Sequence, residues 1–124
     1  MSKAKNMVKW CLNKANAEIA KGELHRGLVK TVPDKKSALE YIKKAEHNLE
    51  AFQYNKKGGF YDWTISIGFY VMYHCCLAII TKFGYESRNQ ECTLALMESL
   101  IEDKEIGDAV LNNYIRIWLT QIRF

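Results

Sequence analysis

Residues 61–83 constrain the fold more than any other segment, because they are apolar on nearly every side of a helix. At 100° per residue, Ile65, Phe69 and Met72 share one face of this helix, and Val71 and Ala78 lie on another. A helix of this kind either forms the centre of a bundle or spans a membrane. Its polar side chains, and the amphipathic segments on both sides of it, favour the centre of a bundle and no membrane.

Four further segments have helical periodicity. Residues 3–21 form one amphipathic helix, and residues 25–34 form a connector. A second helix begins near Ser37, where Ser37-Ala-Leu-Glu40 matches a capping box, and a break at 55–59 ends it. A loop over 84–89 precedes a helix over 90–102, which Ser87 or Asn89 caps. The last helix spans about 105–122, and its two apolar sides predict one contact with the bundle and one with a second subunit.

The apolar stripes of the second and fourth helices predict which faces are buried. In the second helix the stripe is Leu39, Ile42, Ala45, Leu49 and Phe52, and in the fourth it is Leu94, Met97 and Ile101.

The composition excludes several other fold classes. One proline and seven glycines are too few turn residues for a β-sandwich, and 124 residues are the length of one domain. We therefore predict an all-α fold, an up-and-down bundle of four to five helices with residues 61–83 at its centre. The chain is a single domain over 1–124, with an N-terminal helix and connector at 1–36 and a core bundle at 37–124.

Charge and cysteine content bear on the partners and the compartment. Residues 1–57 carry 13 lysines and arginines against 6 acidic residues, which favours a phosphate or acidic partner, although a solvated lysine surface explains the same count. The four cysteines form no C-x-x-C pair, and no two histidines lie four residues apart. These features predict reduced cysteines, a cytoplasmic location, no bound metal and no cofactor.

Two groups of polar residues are candidates for a ligand-binding cleft between the third and fourth helices. The rings of Tyr70 and Tyr73 could stack on a base, while the imidazole of His74 contacts a phosphate or carries a proton. The alternative is a satisfied core, with His74 bonded to a backbone carbonyl. The loop 87–89 adds an arginine at a helix N-terminus, which suits an anion, although an ordinary capped loop has the same residues. The candidate residues are Asp62, Ser66, Tyr70, Tyr73, His74, Ser87, Arg88 and Asn89.

The order of several short motifs resembles the HEPN family of small prokaryotic helical proteins over about residues 37–115. The matching stretches are Lys44-Ala-Glu46 with Asn48-Leu49, Asp62-Trp63, Tyr70-Val-Met-Tyr73-His74-Cys-Cys-Leu-Ala78 and Gly84–Cys92. The resemblance implies a helical bundle that dimerises and a link to nucleotides or RNA. It also implies a minimal nucleotidyltransferase partner in a toxin–antitoxin-like pair.

The chain departs from the pattern of the family's metal-independent ribonucleases. Those members use an arginine followed, after four to six residues, by a histidine, and none of the four arginines here has such a histidine. Gln90 stands in the loop where relatives often have a histidine, and an amide does not exchange protons near neutral pH. We therefore expect a non-catalytic module that binds nucleotide, RNA or the nucleotidyltransferase. The alternatives are a ribonuclease that uses His74 with Arg88, and a structural homodimerisation protein.

Overall fold

A computed structural model describes residues 2–103, which form four helices and two short strands. The elements are α1 (Lys3–Ala20), β1 (Leu28–Lys30), α2 (Lys35–Lys57), α3 (Tyr61–Lys82), β2 (Tyr85–Ser87) and α4 (Gln90–Glu102). The prediction of an all-α helical bundle is confirmed. The predicted helix over 105–122, with its second apolar side, lies outside the described residues.

Helices α2 and α3 form an antiparallel pair joined by a tight turn. Gly59 has φ 79°, a conformation that glycine adopts without steric cost, and the amide of Phe60 donates to the carbonyl of Asn55 at 2.9 Å. Phe52 of α2 and Val71 of α3 are both buried in the core between the two helices. This hairpin forms one side of the bundle.

Helices α1 and α4 pack against each other in opposite directions. At the start of α1, the hydroxyl of Ser2 donates to the Glu102 carboxylate and Lys5 pairs with Asp103, both at the end of α4. The pair is also linked covalently, by a disulfide between Cys11 and Cys92. The expectation of reduced cysteines is therefore wrong for these two, while the cytoplasmic location stays a prediction.

The larger core cluster lies where α1, α3, α4 and β1 meet. Its buried members are Cys11, Leu28, Leu77, Ile79, Ile80, Cys92, Leu96, Met97 and Leu100. Through Cys11, and through Met7, Val8 and Leu12 packed against the cluster, the N-terminal helix is part of the same core as the later elements.

Two strands lie in the segments that the sequence predicts to be loops. β1 and β2 are antiparallel, with Val29 opposite Glu86. Each strand has three residues, too few to show the alternation that identifies a strand in sequence. A Cβ at Gly27, just before β1, would lie 2.5 Å from the carbonyl oxygen of Cys11, so α1 and β1 can approach this closely only with glycine.

Helix α2 begins earlier than the capping box predicts. Asp34 is its N-cap and accepts from the amide of Ser37 at 3.0 Å, which places Ser37 inside the helix. The predicted break at 55–59 is partly wrong, because α2 continues to Lys57. Leu39 is 50% exposed, whereas Ala38 beside it is buried. The buried face of α2 therefore begins with Ala38, whereas the predicted stripe begins with Leu39.

The faces of α3 and α4 also differ from the predictions. On α3 the run from Leu77 to Ile80 is buried without interruption, whereas nearer the N-terminus single buried residues such as Val71 alternate with exposed ones, and Ile65 is 65% exposed. On α4, Leu94 and Ile101 are exposed, while Leu96 and Leu100 face the core. Because α4 has leucines on both of its sides, periodicity alone does not determine which side faces the core.

Among residues 2–103, α3 is the one helix long and apolar enough to cross a membrane, with a mean hydropathy of 1.6. Only 39% of that stretch is buried in the fold. The core helix of a soluble protein meets the same two criteria, so length and composition do not decide between them.

Candidate functional site

Five rings from α2 and α3 form a continuous group, which we call the ring cluster. Tyr41 of α2 stacks on His74 of α3 with 6.3 Å between their centroids. Tyr70 and Tyr73 lie 6.5 and 6.3 Å from the same imidazole, and Phe69 stacks on Tyr73 at 6.0 Å. The spacing of 69, 70, 73 and 74 brings these side chains to one side of the helix. His74 is therefore the centre of the cluster.

Hydrogen bonds fix the orientation of the His74 ring. Its Nδ1 lies 2.8 Å from the carbonyl oxygen of Tyr70 and 3.1 Å from the side-chain amide of Asn48. A carbonyl only accepts, so the contact with Tyr70 is a hydrogen bond when the neutral ring carries its proton on Nδ1, and in that tautomer the amide nitrogen of Asn48, also a donor, makes no hydrogen bond with Nδ1. The Nε2 atom then carries a lone pair. In this state His74 can accept a hydrogen bond from a ligand hydroxyl, and it can donate to a phosphate only after protonation.

A buried hydroxyl network connects the ring cluster to β2 and α4. The hydroxyl of Thr93 donates to Ser87 at 2.7 Å and lies 3.3 Å from the phenol of Tyr73. Thr93 has no exposed surface. Since a buried hydroxyl requires partners, this network fixes Tyr73 relative to the start of α4.

An ion pair lies at the C-terminal end of β2. The guanidinium of Arg88 is 3.0 Å from the carboxylate of Glu86, and both side chains are partly exposed. Burial raises the pKa of Tyr41, and the charge of Glu86 raises it further, while Arg88 opposes the rise. The charges of Glu86 and Arg88 therefore act on Tyr41, the ring that also stacks on the imidazole of His74.

A second cation lies over the same tyrosine. The Nζ of Lys44 is 5.6 Å from the centroid of Tyr41, within the range of a cation–π contact. Tyr41, Lys44 and Asn48 follow one another at steps of three and four residues, which places them on one face of α2. We call the region bounded by this face, the ring cluster and Arg88 the aromatic cleft.

The structure brings together most of the predicted site residues. Tyr70, Tyr73 and His74 belong to the ring cluster, and Ser87 reaches it through Thr93. Asn89 is the N-cap of α4, where its side chain accepts from the amide of Cys92 at 3.2 Å and donates to the carbonyl of Arg26. This role agrees with the cap predicted from sequence.

Asp62 and Ser66 lie apart from these residues. Both are exposed in the first turns of α3, and within the described residues no hydrogen bond or ion pair joins either of them to the aromatic cleft. Asp62 lies in the first helical turn, where a carboxylate stabilises the helix by its position.

The sequence did not identify Tyr41, Lys44, Asn48, Glu86 or His25 as site residues. A signal existed for three of them, because a tyrosine, a lysine and an asparagine at steps of three and four form a polar and aromatic face beside an apolar stripe. No such signal marks Glu86 or His25, which meet only when β1 pairs with β2.

Metal chemistry has no support in the part of the chain that the structure describes. No group of three His, Cys, Asp or Glu side chains there is arranged to hold a metal ion.

Comparison with known proteins decides the family. A family model described as the HEPN domain matches residues 38–124 of the chain. The chain belongs to the HEPN family. The match covers α2 from residue 38 onwards, α3, β2 and α4, which include all of the aromatic cleft, whereas α1 and β1 precede it. Neither the curated proteins nor the solved structures contain a significant match to this HEPN chain.

Proposed function

We propose that this HEPN protein is a non-catalytic module that binds a nucleotide or a short stretch of RNA in the aromatic cleft. The observation that supports this proposal is the position of Tyr41, which stacks on His74, lies under Lys44 and is within the electrostatic influence of Arg88. Aromatic rings and cations in one cleft suit a base and its phosphate, because bases stack on rings while phosphates pair with guanidinium and ammonium groups.

The internal contacts of the cleft limit how a ligand binds. Arg88 is engaged by Glu86 and His74 by Tyr70, so the ligand competes with bonds already present. The cleft then gains affinity from stacking and from the positive charge of α2 more than from any single hydrogen bond. This argument favours a weak, salt-sensitive interaction with a polyanion.

A titration with ATP and with a short single-stranded RNA, at low and at moderate salt, tests the proposal. We expect both to bind, with affinity that falls as salt rises, because phosphate contacts release counterions. Tyr41→Ala is expected to weaken binding about tenfold through lost stacking, and Arg88→Gln to weaken it and reduce the salt dependence.

Matched variants separate the cleft from general surface effects. Tyr54→Ala removes an exposed tyrosine near the far end of α2, and Lys57→Gln removes one positive charge there. Both controls should bind like the wild type. Absence of binding at low salt, or equal losses in controls and cleft variants, would contradict the proposal.

A metal-independent ribonuclease is the second candidate, favoured by the free Nε2 lone pair of His74. As a general base, this atom would take the proton from an RNA 2′-hydroxyl while Arg88 stabilises the developing phosphate charge. Cleavage of RNA that is lost in His74→Ala would support this activity. Equal cleavage by the variant would assign it to another site or to a contaminant.

The proposed partners are a second copy of the chain and a minimal nucleotidyltransferase in a toxin–antitoxin-like pair. Exposed apolar side chains along α3, among them Trp63, Ile65 and Phe69, support a protein partner, because such patches are covered in assemblies. Sedimentation at several concentrations tests the homodimer proposal. A protein that stays monomeric at every concentration but still binds ATP would contradict the homodimer proposal and leave the ligand-binding proposal intact.

A further inference from the structure

His25 is a buried histidine with an unsatisfied ring nitrogen next to the Arg88 ion pair. It lies in the connector before β1 and is 6% exposed. Its Nε2 is 3.4 Å from the carboxylate of Glu86, but the alignment does not make a hydrogen bond, and Nε2 has no other hydrogen-bond partner. A buried polar atom without a hydrogen bond lowers the stability of the fold, so the position of Nε2 beside a carboxylate requires an explanation.

The protonation state of the ring follows from its second nitrogen. Nδ1 accepts from the amide of Gly27 at 3.4 Å, which places the proton of the neutral ring on Nε2, toward Glu86. A second proton, taken up from solvent, would bind to Nδ1. The weak Gly27 bond would then be lost, and a full positive charge would face Glu86.

Glu86 is shared between the two cations. One of its carboxylate oxygens is 3.0 Å from Arg88 and 3.4 Å from His25. While His25 is neutral, Glu86 offsets the charge of Arg88 and repels any anion that approaches it. When His25 is charged, the three groups together carry a net positive charge, and Arg88 becomes available to a phosphate.

We propose that His25 is a positioning residue for phosphate binding at Arg88. When the phosphate binds, His25 takes up a proton and holds the Glu86 carboxylate. This inference rests on the proposed function of the aromatic cleft. Binding and protonation then favour each other, so affinity for a phosphate ligand rises as the pH falls.

Glu18, which is paired with Lys14, and Tyr41 are the neighbouring groups that contribute to the charge around this triad. Glu18 of α1 acts on His25, and its pKa is lowered by hydrogen bonds from the Arg26 amide and from Lys14, so it stays ionised through the relevant pH range. Tyr41 of α2, with its raised pKa, stays neutral. With Glu18 ionised and Tyr41 neutral, the proposed proton uptake by His25 is the change in charge that reaches Arg88.

The test uses a short single-stranded RNA with hydroxyl ends, because its phosphodiesters do not titrate between pH 5.5 and 8. For the wild type we expect the Kd to fall as the pH is lowered, by at most about tenfold per pH unit for one linked proton. His25→Asn keeps an acceptor for the Gly27 amide but lacks the ring, and we expect a flatter profile. Glu86→Gln should bind more tightly at pH 8 and be flatter as well.

A matched histidine substitution outside the triad is needed as a control. His47→Asn removes an exposed histidine of α2 and should leave the profile unchanged. NMR titration of the His25 ring protons, with and without RNA, follows the proton directly and is independent of the variants. We expect the midpoint of His25 to move to higher pH when RNA is bound.

Three results would overturn the inference. An RNA-binding protein in which His25→Asn and Glu86→Gln keep the wild-type pH profile would overturn it and leave the proposed function intact. A His25 midpoint that does not move with RNA would do the same, even if His25→Asn fails to fold. Absence of RNA binding by the wild type at every pH would remove both proposals together.

Discussion

Cys11 of α1 and Cys92 of α4 are joined by a disulfide across 81 residues, and neither side chain has any exposed surface. Closing so long a loop restricts the unfolded chain, which the chain-entropy account values at about 4.5 kcal/mol. We therefore expect a dithiol reductant to lower the melting temperature of the wild type. Cys11→Ala should melt at a lower temperature and be insensitive to the reductant. A wild-type melting curve unaffected by full reduction would show that the bond contributes nothing.

The two remaining cysteines of the described chain are expected to be unreactive in the native state. Burial raises the pKa of the Cys75 and Cys76 thiols to about 11, and the thiolate is the reactive form. At pH 7.5 we expect slow alkylation of both thiols, and rapid alkylation after unfolding in denaturant without reductant. Mass spectrometry should then count two modified cysteines, rising to four only after reduction. Four labels without a reductant would mean that the disulfide is absent.

The hydroxyl network below the ring cluster should be measurable in stability. Thr93→Val keeps the shape of the side chain but removes the group that contacts Ser87 and Tyr73. We expect the free energy of unfolding to fall by about 1–3 kcal/mol, because buried hydroxyls lose their partner. Urea denaturation measures the change. Thr31→Val, the same substitution at an exposed position, should have little effect, and a similar loss in both variants would contradict a role for the network.

The N-cap of α2 predicts a specific dependence on pH. Hydrogen bonds from the amide and hydroxyl of Ser37 lower the pKa of Asp34 below 3.8, its ordinary value. A carboxylate with a depressed pKa stabilises the fold above its unfolded pKa, and the contribution is lost as the pH falls through the folded value. The stability difference between the wild type and Asp34→Asn should therefore shrink below about pH 4. A difference that is constant from pH 7 to pH 2 would exclude this role.

The helices were predictable because their signals are local. The bounds of α3 and α4 agree with the sequence to within one residue, since Gly84 and Asn89 mark their ends by their own conformational preferences. The buried faces were less predictable. Leu39 and Leu94 fit a periodic stripe and are nevertheless exposed, because the choice between two apolar faces is made by the neighbouring helices.

The sequence predicted only those residues of the aromatic cleft that lie on a single helix. Tyr70, Tyr73 and His74 lie on α3, so helical spacing alone brings them together. The contacts of His25 with Glu86 and of Cys11 with Cys92 join residues far apart in the chain. They depend on the packing of α1 and on the register of β1 against β2, which no local pattern encodes.

The pairing of β1 with β2 has a practical consequence for anyone who wishes to excise the family domain. A fragment cut at residue 38 would retain β2 and Cys92 but discard both of their counterparts. The unpaired edge of β2 and the free thiol of Cys92 would promote self-association of the fragment. Recombinant work on this protein should therefore keep the leading helix, since the packed unit extends beyond the segment that the family model matches.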